Sequence, residues 1–381
     1  MHSVQRLKHL IQINSVEWLN LLRRLITFLP EFYLGNGHSS SLINIVLELT
    51  HKCNLQCSMC HYGITNNIRN NTKEMDLGAI KDIIVQGAEL KTSFFLTGGE
   101  PFMRSDLIEI VKTIKKYRLK CGINTNGTIL DKKKVNSLMD MNLDYIFFSV
   151  LGSESVHDEL AEVKGAYKKM VETLSYCSKR RKKTKIFINQ VITKENIGSL
   201  KETVFLAKNN AVDGVRFQHL SYLTPDDICR FSRIEEKIPE EYEFKLSGKE
   251  FKRYDFPSQE AAQQINAVTR FAKENKVELL FKPFLDKDGM EGWYGHGFNS
   301  TKKCVYPWLM IRIAPNGDVF ACPILLMKMG NVLNDKINVL LNNERFRFFR
   351  RLLKQEKGQF PICARCCKLY MSPFGRIKRG R

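Results

Sequence analysis

Three closely spaced cysteines, Cys53, Cys57 and Cys60, are the residues of this sequence best suited to chemistry. Three thiolates on one short loop can converge on one face of a [4Fe–4S] cube, which normally takes four cysteine ligands. Three ligands leave one iron open to bind another molecule. A zinc site completed by His51 or His61 is the alternative at this spacing.

A second group of cysteines lies much later in the chain. Cys304 and Cys322 flank two apolar runs joined by an Asn-Gly turn, which predicts a hairpin that brings the two thiols near each other. Cys363 and Cys366 form a Cys-x2-Cys pair that supplies two more ligands. Spacing favours Cys366 as the fourth ligand, and its neighbour Cys367 is the other candidate. A structural zinc ribbon is the alternative for this group.

The chain has 11 cysteines among 381 residues. Its first residues mix basic and apolar types and lack the compact apolar segment of a secretory signal, which predicts a reducing cytoplasm. Clustered cysteines in such a compartment more often bind metals than form disulfides. Cys121, Cys177 and Cys229 stand apart from both groups and are expected to be free thiols.

The chain is strongly basic, with a net charge of +20 from 60 Lys and Arg against 40 Asp and Glu. This excess favours anionic partners or serves solubility. Apolar residues at three- and four-residue steps predict an amphipathic helical lead-in over residues 1–41, whose second helix ends at Pro30. We expect the lead-in to pack against the main domain, with contact to an anionic membrane surface as the alternative.

From residue 42 onward the sequence alternates strand and helix patterns. The predicted strands are 42–49, 93–96, 120–124, 144–150, 184–192 and 214–220, and the helices between them are 77–90, 106–117, 132–141, 155–177 and 197–209. Such units with right-handed crossovers form a parallel sheet. Six units are too few to close an eight-stranded barrel. The predicted fold class is therefore α/β, a partial (β/α)6 barrel with its reactive residues at the carboxyl ends of the strands.

A second motif, Gly98, Gly99 and Glu100, follows the second predicted strand, as the first cysteine motif follows the first strand. Two glycines let a backbone approach a ligand closely. Together the two motifs resemble the radical SAM superfamily. The resemblance implies a [4Fe–4S] cluster on the three cysteines, whose open iron holds S-adenosylmethionine. It also implies that the Gly-Gly-Glu motif holds the methionine amino group of that cofactor.

The resemblance implies further cofactor contacts. Asn124 belongs to a segment similar to the family's Thr-Asn-Gly turn, and Ser149 to one that resembles a Ser-Leu-Asp-Gly motif near the cofactor. Leu151 stands where the family often has Asp, which is a departure from the pattern. Tyr62, together with His61, is a candidate to border the adenine. In this family, reductive cleavage of the cofactor gives a 5′-deoxyadenosyl radical that abstracts hydrogen from the substrate.

The late cysteines are similar to the first half of the SPASM module that follows many radical SAM domains. The shortened form, called a twitch domain, holds one cluster. The resemblance thus implies one auxiliary [4Fe–4S] cluster on Cys304, Cys322, Cys363 and Cys366. The predicted domains are the lead-in over 1–41, the radical SAM partial barrel over 42–220, a connecting, substrate-shaping segment over 221–300, and a hairpin-plus-helix cluster domain with a basic tail over 301–381.

Four protein ligands saturate the auxiliary cluster, which favours a role in electron transfer or in supporting the substrate pocket. We therefore predict an oxidoreductase-type enzyme that oxidises or epimerises a sugar, cyclitol or similar small molecule. Maturation of a ribosomally made peptide is the main alternative. RNA modification and a non-catalytic, zinc-stabilised binding protein are further alternatives.

The predicted partners follow from this chemistry. They are a small-molecule or peptide substrate, a reducing protein such as flavodoxin or ferredoxin, and a membrane surface or lipid-linked substrate that the lead-in would contact. Nucleic acid is not expected, because no RNA-binding motif accompanies the basic tail. Trp293, Tyr294 and His296 precede the late cysteines and are candidates to face the substrate, with packing as the alternative.

Overall fold

The strands of the protein form one large sheet. The computed structural model describes residues 26–60, 73–247, 256, 258–295, 298, 300 and 302–369. Within them, 11 strands follow the order β7-β11-β10-β9-β1-β2-β3-β4-β5-β6-β8. Their bounds are β1 Asn44–Thr50, β2 Ser93–Gly98, β3 Cys121–Thr125, β4 Tyr145–Ser149, β5 Lys185–Ile192, β6 Gly214–His219, β7 Phe244–Leu246, β8 Leu279–Lys282, β9 Met310–Ile313, β10 Asp318–Phe320 and β11 Leu325–Asn331.

The first six strands lie side by side and are parallel throughout, which confirms the predicted α/β sheet. A further parallel strand, β8, pairs with β6 and places Lys282 beside Gln218. Sequence analysis did not include β8, because its four residues lie in a charged, proline-containing stretch that shows no strand–helix pattern. Strands β1 to β6 and β8 are therefore parallel in succession, and β9 adds an eighth parallel strand beside β1.

Helices connect and flank the strands of the sheet. They are α1 26–33, α2 Leu77–Glu89, α3 Leu107–Lys116, α4 Lys132–Asp140, α5 Glu154–Ala161, α6 Ala166–Arg180, α7 Leu200–Asn209, α8 Pro225–Glu235, α9 Ser258–Glu274, α10 Lys287–Tyr294, α11 Tyr306–Leu309, α12 Ile337–Leu340 and α13 Glu344–Gln355. Side chains alternate across a strand. In β4, Ile146 and Phe148 are fully buried, and Tyr145, Phe147 and Ser149 are partly exposed on the inner face.

The helix predicted over 155–177 is two helices, α5 and α6. Glu162 and Gly165 between them adopt positive φ angles of 53° and 81°, which end the first helix. The Asp158 carboxylate then accepts hydrogen bonds from the amides of Gly165 and Tyr167, at 2.5 and 2.8 Å. A local carboxylate–amide turn of this kind competes with continuous helix. The helical part of the predicted hairpin-plus-helix domain is likewise divided, into α12 and α13.

The described part of the lead-in, residues 26–33, packs against the main domain. Phe28 and Phe32 are buried, and the Phe32 ring meets the Trp308 ring edge-on at 4.9 Å between centroids. The prediction that the helix ends at Pro30 is wrong, because proline removes only its own amide donor. Its carbonyl still accepts from the amides of Leu34 and Gly35, which closes the following turn. Among the described helices, none combines the length and apolar character that a bilayer span requires.

The late cysteines belong to a hairpin that extends the same sheet. Strands β9 and β10 are antiparallel, as predicted, and β9 also pairs in parallel with β1. Between these two strands, the Arg312 guanidinium donates to both oxygens of the buried Glu48 carboxylate. The hairpin is therefore joined to the barrel both by backbone hydrogen bonds and by a buried ion pair.

Candidate functional site

The first cysteine loop follows β1 and lies against α5. The amides of Gln56 and Ser58 donate to the carbonyls of Ala161 and Leu160, at 3.1 and 3.0 Å. Leu55, between the first two cysteines, is buried in an apolar cluster with Leu151, Leu160, Ala161 and Ala166. Cys53, Cys57 and Cys60 remain partly exposed. The loop is thus held by its backbone and one apolar anchor, and its three thiols stay accessible.

Leu151, which stands where the family often has Asp, has a structural role in this chain. Its side chain packs in the apolar cluster that anchors the cysteine loop. Its backbone amide donates to Nδ1 of His157 at 3.1 Å, and its carbonyl accepts from the side-chain amide of Asn196 at 2.9 Å. Burial lowers the pKa of His157 to about 4, so the imidazole is neutral and Nδ1 is free to accept. The turn after β4 therefore supports the loop in this chain.

The Gly-Gly-Glu motif lies directly against the chain that leads into Cys53. The amides of Gly99 and Glu100 donate to the carbonyls of Thr50 and Lys52, both at 2.8 Å. A Cβ atom on Gly98 would lie 2.2 Å from the Thr50 carbonyl oxygen, and one on Gly99 would lie 2.2 Å from that of Lys52. Gly98 also has a φ of +133°. Both glycines are therefore required for this close approach.

The Glu100 side chain joins the ends of β2 and β3. It is fully buried and accepts hydrogen bonds from the Thr125 hydroxyl at 2.8 Å, the Asn126 amide at 2.7 Å and the Phe102 amide at 3.1 Å. Burial raises its pKa to about 7, although these three hydrogen bonds lower it. Glu100 therefore positions the turn after β3 relative to the Gly-Gly-Glu motif.

The turn after β3 brings predicted and unpredicted residues together. The Asn124 amide donates to the Ser149 hydroxyl at 3.3 Å, so these two predicted cofactor residues are in contact. Sequence analysis missed Asn126. Its side-chain nitrogen, Nδ2, lies 3.8 Å from the Cys53 sulfur and 3.0 Å from the Asn54 side-chain oxygen. The signal was its place in the Thr-Asn-Gly turn. The other predicted residue, Tyr62, lies outside the described residues, as does His61.

The late cysteines line one cavity of about 350 Å³, counting its solvent-open part. Its thiols belong to Cys304, Cys322, Cys363 and Cys366, and aromatic and aliphatic side chains complete most of the wall. Cys367 is absent from this lining, and its amide lies 3.4 Å from the Ser221 hydroxyl. The structure therefore brings together the four thiols that spacing favoured.

These thiols suit a cluster with a positively charged core. Burial raises the pKa of all four, to about 12 for Cys304 and well above the usual range for Cys363 and Cys366. A neighbouring thiol also raises the pKa of Cys304, Cys363 and Cys366, whereas burial alone raises the pKa of Cys322. Four thiolates can share this cavity only if cationic metal compensates them, and an all-sulfur donor set suits an iron–sulfur cluster or a structural zinc ion. Within the described residues, no three His, Cys, Asp or Glu side chains are arranged around a single metal ion.

The remaining candidates belong to neither cysteine group. Cys121 and Cys177 are buried in the core, and Cys229 is exposed. Trp293 and Tyr294 are buried, which favours packing, the alternative named for them, over a place facing the substrate. The Trp293 indole donates to the Leu220 carbonyl at 3.1 Å, and the Tyr294 hydroxyl lies 2.7 Å from Nδ1 of His219. His296 lies outside the described residues.

Sequence analysis also missed two cations on the inner face of the sheet, Arg216 of β6 and Lys282 of β8. The Arg216 Nε donates to the Asn189 side-chain oxygen at 2.7 Å, and its guanidinium lies over the Phe147 ring at 4.2 Å from the centroid. The signal was the alternation in β6, where buried Val215 and Phe217 flank Arg216. A charged residue between two buried apolar ones points to the opposite face.

Comparison with known proteins agrees with this geometry. The family described as the Radical SAM superfamily matches residues 47–207. The SPASM family, an iron–sulfur cluster-binding domain, matches residues 304–367. The first match contains the three-cysteine loop and the Gly-Gly-Glu motif, and the second contains the four-cysteine cavity.

Relatives with these domains have several activities. The AdoMet-dependent heme synthase of Methanosarcina barkeri is 27% identical over 330 residues, which are 84% of this chain and 87% of that protein. The PqqA peptide cyclase of Gluconobacter oxydans is 28% identical over 182 residues, 47% of this chain and half of its own length.

A solved structure shows the same fold. Streptococcus suis SuiB, bound to its precursor peptide SuiA, superposes with a TM-score of 0.62 at 16% identity, over 87% of this chain and 76% of its own. The two domain matches imply S-adenosylmethionine on a [4Fe–4S] cluster and an auxiliary iron–sulfur cluster. This chain is a member of the radical SAM superfamily with a C-terminal SPASM domain.

Proposed function

We propose that this chain is a radical SAM enzyme that modifies a ribosomally made peptide. The observation that carries the proposal is its likeness, over most of the chain, to a SPASM protein solved with a precursor peptide. The relationship to a peptide cyclase supports it. Oxidation of a sugar or cyclitol, which the sequence favoured, finds no such support among these relatives.

The residues at the first loop have distinct proposed roles. Cys53, Cys57 and Cys60 would hold the cofactor cluster, and S-adenosylmethionine bound there supplies hydrogen-abstracting chemistry. The Gly-Gly-Glu backbone would fix the chain that leads into Cys53, through its hydrogen bonds to the Thr50 and Lys52 carbonyls. Glu100 holds the turns after β2 and β3 together, so it acts as a positioning residue. The side-chain amide of Asn126 is placed to donate a hydrogen bond to the sulfur of Cys53, an interaction that tunes cluster potential.

The auxiliary site has a supporting or electron-transferring role in this proposal. Cys304, Cys322, Cys363 and Cys366 would supply a full set of four ligands, which leaves no iron for direct contact with the substrate. An electron accepted there would make the overall reaction an oxidation of the peptide. The oxidoreductase-type outcome therefore depends on this second site.

A tetrapyrrole substrate is the second candidate. The relationship to a heme synthase favours it, because the alignment spans most of both proteins. The same cofactor chemistry and the same pair of metal sites would serve a porphyrin side chain.

The test is carried out on protein reconstituted with iron and sulfide under anaerobic conditions and then reduced. We would measure S-adenosylmethionine cleavage and, by mass spectrometry, hydrogen loss from candidate precursor peptides encoded beside this protein in its genome. The Cys53→Ala/Cys57→Ala/Cys60→Ala variant should lose both activities. Cys229→Ala is the matched control, because Cys229 is exposed and far from both cysteine groups in the sequence.

The outcomes separate the candidates. Modification of a peptide that requires the three cysteines supports the proposal. Modification of a porphyrin, with every peptide unchanged, supports the second candidate instead. Iron-loaded, reduced protein that leaves S-adenosylmethionine intact contradicts both.

A further inference from the structure

The inner face of the sheet carries cations at its β6–β8 side, where the auxiliary cysteines approach it. Arg216 and Gln218 of β6 point to the same face as Lys282 of β8, because Gln218 and Lys282 are register partners. Arg216 and Lys282 are therefore on adjacent strands, one side-chain step apart. Both are partly accessible rather than packed in the core.

The surroundings of Arg216 orient it without neutralising it. Its Nε donates to a neutral side chain, Asn189 of β5, and its guanidinium lies over the ring of Phe147 in β4. The remaining guanidinium nitrogens carry donors in a planar fork that matches a carboxylate. Such a preorganised guanidinium loses less conformational freedom when an anion binds.

Lys282 lies in a crowded positive field. The charges of Lys368 and Arg216 act on Lys282, and so do the nearby thiols of Cys367 and Cys366. Lys368 also lines the cavity of the auxiliary cysteines, where four thiolates would balance its charge. Arg216 and Lys282 are the two cations that adjacent strands present together on the inner face.

Carboxylates of the protein do not balance these two cations. Over the part of the chain that the structure describes, no Asp or Glu oxygen forms an ion pair with Arg216 or Lys282. The inner-face carboxylate Glu48 is already engaged by Arg312, with His51 at 3.5 Å. A partly buried cation pair without an anion is costly, and a bound carboxylate would relieve that cost.

We propose that Arg216 and Lys282 bind a carboxylate of the substrate on the inner face of the sheet, beside the auxiliary-cluster cavity. This inference rests on the proposed function, since it assigns a substrate group to the same site. The carboxylate belongs to an acidic side chain of a peptide or to a porphyrin side chain. Bound there, it fixes which part of the substrate lies near the cofactor.

The experiment measures retention of two kinds of probe by the anaerobically reconstituted protein. One probe is coproporphyrin III, compared with its methyl ester, and the other is a pool of short randomised peptides with blocked ends. We expect preferential retention of the free acid, or enrichment of Asp and Glu over Asn and Gln. Arg216→Gln and Lys282→Gln should each weaken that preference about tenfold or more, because each removes a charged hydrogen-bond donor.

Two controls separate the site from net charge and from misfolding. Lys201→Gln makes the same change of charge on exposed α7 and should retain the full preference. Arg216→Lys and Lys282→Arg should retain most of it. If a glutamine variant loses iron, the test is made on the wild-type protein instead. We would acylate Lys282 and follow its modification by peptide mapping. The acidic probe should slow this acylation, and its neutral counterpart should not.

The result identifies the source of the carboxylate and can refute the inference. If retention of acidic peptides depends on Arg216 and Lys282, the carboxylate comes from an acidic peptide. If retention of the free-acid porphyrin depends on them, it comes from a tetrapyrrole. Equal retention of acidic and neutral probes in both arms, no retention of either, or an unchanged preference in both glutamine variants, overturns the inference. If peptides are modified without preference for acidic residues, the proposed function stands and this inference fails. If a porphyrin binds through its carboxylates and every peptide stays unmodified, this inference stands and the proposed peptide modification fails.

Discussion

Glu100→Gln separates the hydrogen bonds of this side chain from its ionisation. The substitution keeps the shape of the side chain but replaces one carboxylate oxygen with an NH2 group. Both oxygens of Glu100 accept from backbone amides, one from Phe102 and the other from Asn126. In either orientation of the glutamine, one buried amide therefore loses its acceptor. Such a loss costs about 1–3 kcal/mol of the free energy of unfolding at acidic pH.

The ionisation of Glu100 adds a second, pH-dependent contribution to the difference in the free energy of unfolding. The pKa of Glu100 is raised from its usual 4.5 to about 7, so the folded protein binds the proton more tightly than the unfolded chain. This contribution to stability is fully present below pH 4.5 and is lost as the pH rises through 7. At about 1.4 kcal/mol per pKa unit, the difference between about 7 and 4.5 amounts to about 3 kcal/mol, most of it lost between pH 5 and pH 8. The glutamine side chain does not titrate.

The assay is urea unfolding of the iron-free, reduced wild type and the Glu100→Gln variant, without S-adenosylmethionine, at intervals from pH 5 to pH 8. Other titrating groups are shared, so their effects cancel in the difference. We expect the wild type to be the more stable at pH 5 and to lose about 2–3 kcal/mol relative to the variant by pH 8. Parallel pH profiles would show that Glu100 is ionised throughout and would refute the reasoning.

Two further predictions concern iron content and close backbone contacts. Cys366→Ser should reduce the iron of the reconstituted protein from about eight to about four per chain, whereas Cys367→Ser should leave about eight, because only Cys366 lines the four-thiol cavity; equal losses in the two variants would contradict this assignment. Gly99→Ala should displace the Lys52 carbonyl and lower both iron content and S-adenosylmethionine affinity, whereas Gly198→Ala, where an added Cβ meets no atom within 4 Å, should leave both at the wild-type value. Retention of full iron and affinity by Gly99→Ala would show that the turn after β2 can yield.

Much of the fold followed from the sequence, because strand–helix alternation and motif spacing are local signals. The six strands of the barrel and the turn between β9 and β10 are clear in the pattern of apolar residues and turn residues. The pairing of β9 with β1 could not be predicted in this way. It depends on a contact between residues such as Asn44 and Met310 that are far apart in the sequence. The short strand β8 was missed as well, because its four residues lie in a charged stretch that shows no strand–helix pattern.

The candidate site shows the same division. The cysteine groups were found because sulfur ligands at short spacing are rare, and the cavity brings together the four favoured by spacing. Asn126, Arg216 and Lys282 were missed, because polar residues of ordinary types gain meaning only from their neighbours in space. For Trp293, packing was the alternative to a place facing the substrate, and the structure favours packing. Its indole is a buried hydrogen-bond donor to the Leu220 carbonyl.

The junction between β1 and β9 makes the two metal-binding halves one folding unit. Without the late hairpin, β1 would become an open sheet edge, which invites pairing with other chains. Glu48 would also lose the guanidinium that balances its charge in the interior. The barrel half is therefore not an autonomous module that recombination could transfer alone. Exchange between enzymes of this architecture would preserve solubility only when it carries both halves, or when the incoming hairpin supplies an arginine in the register of Arg312.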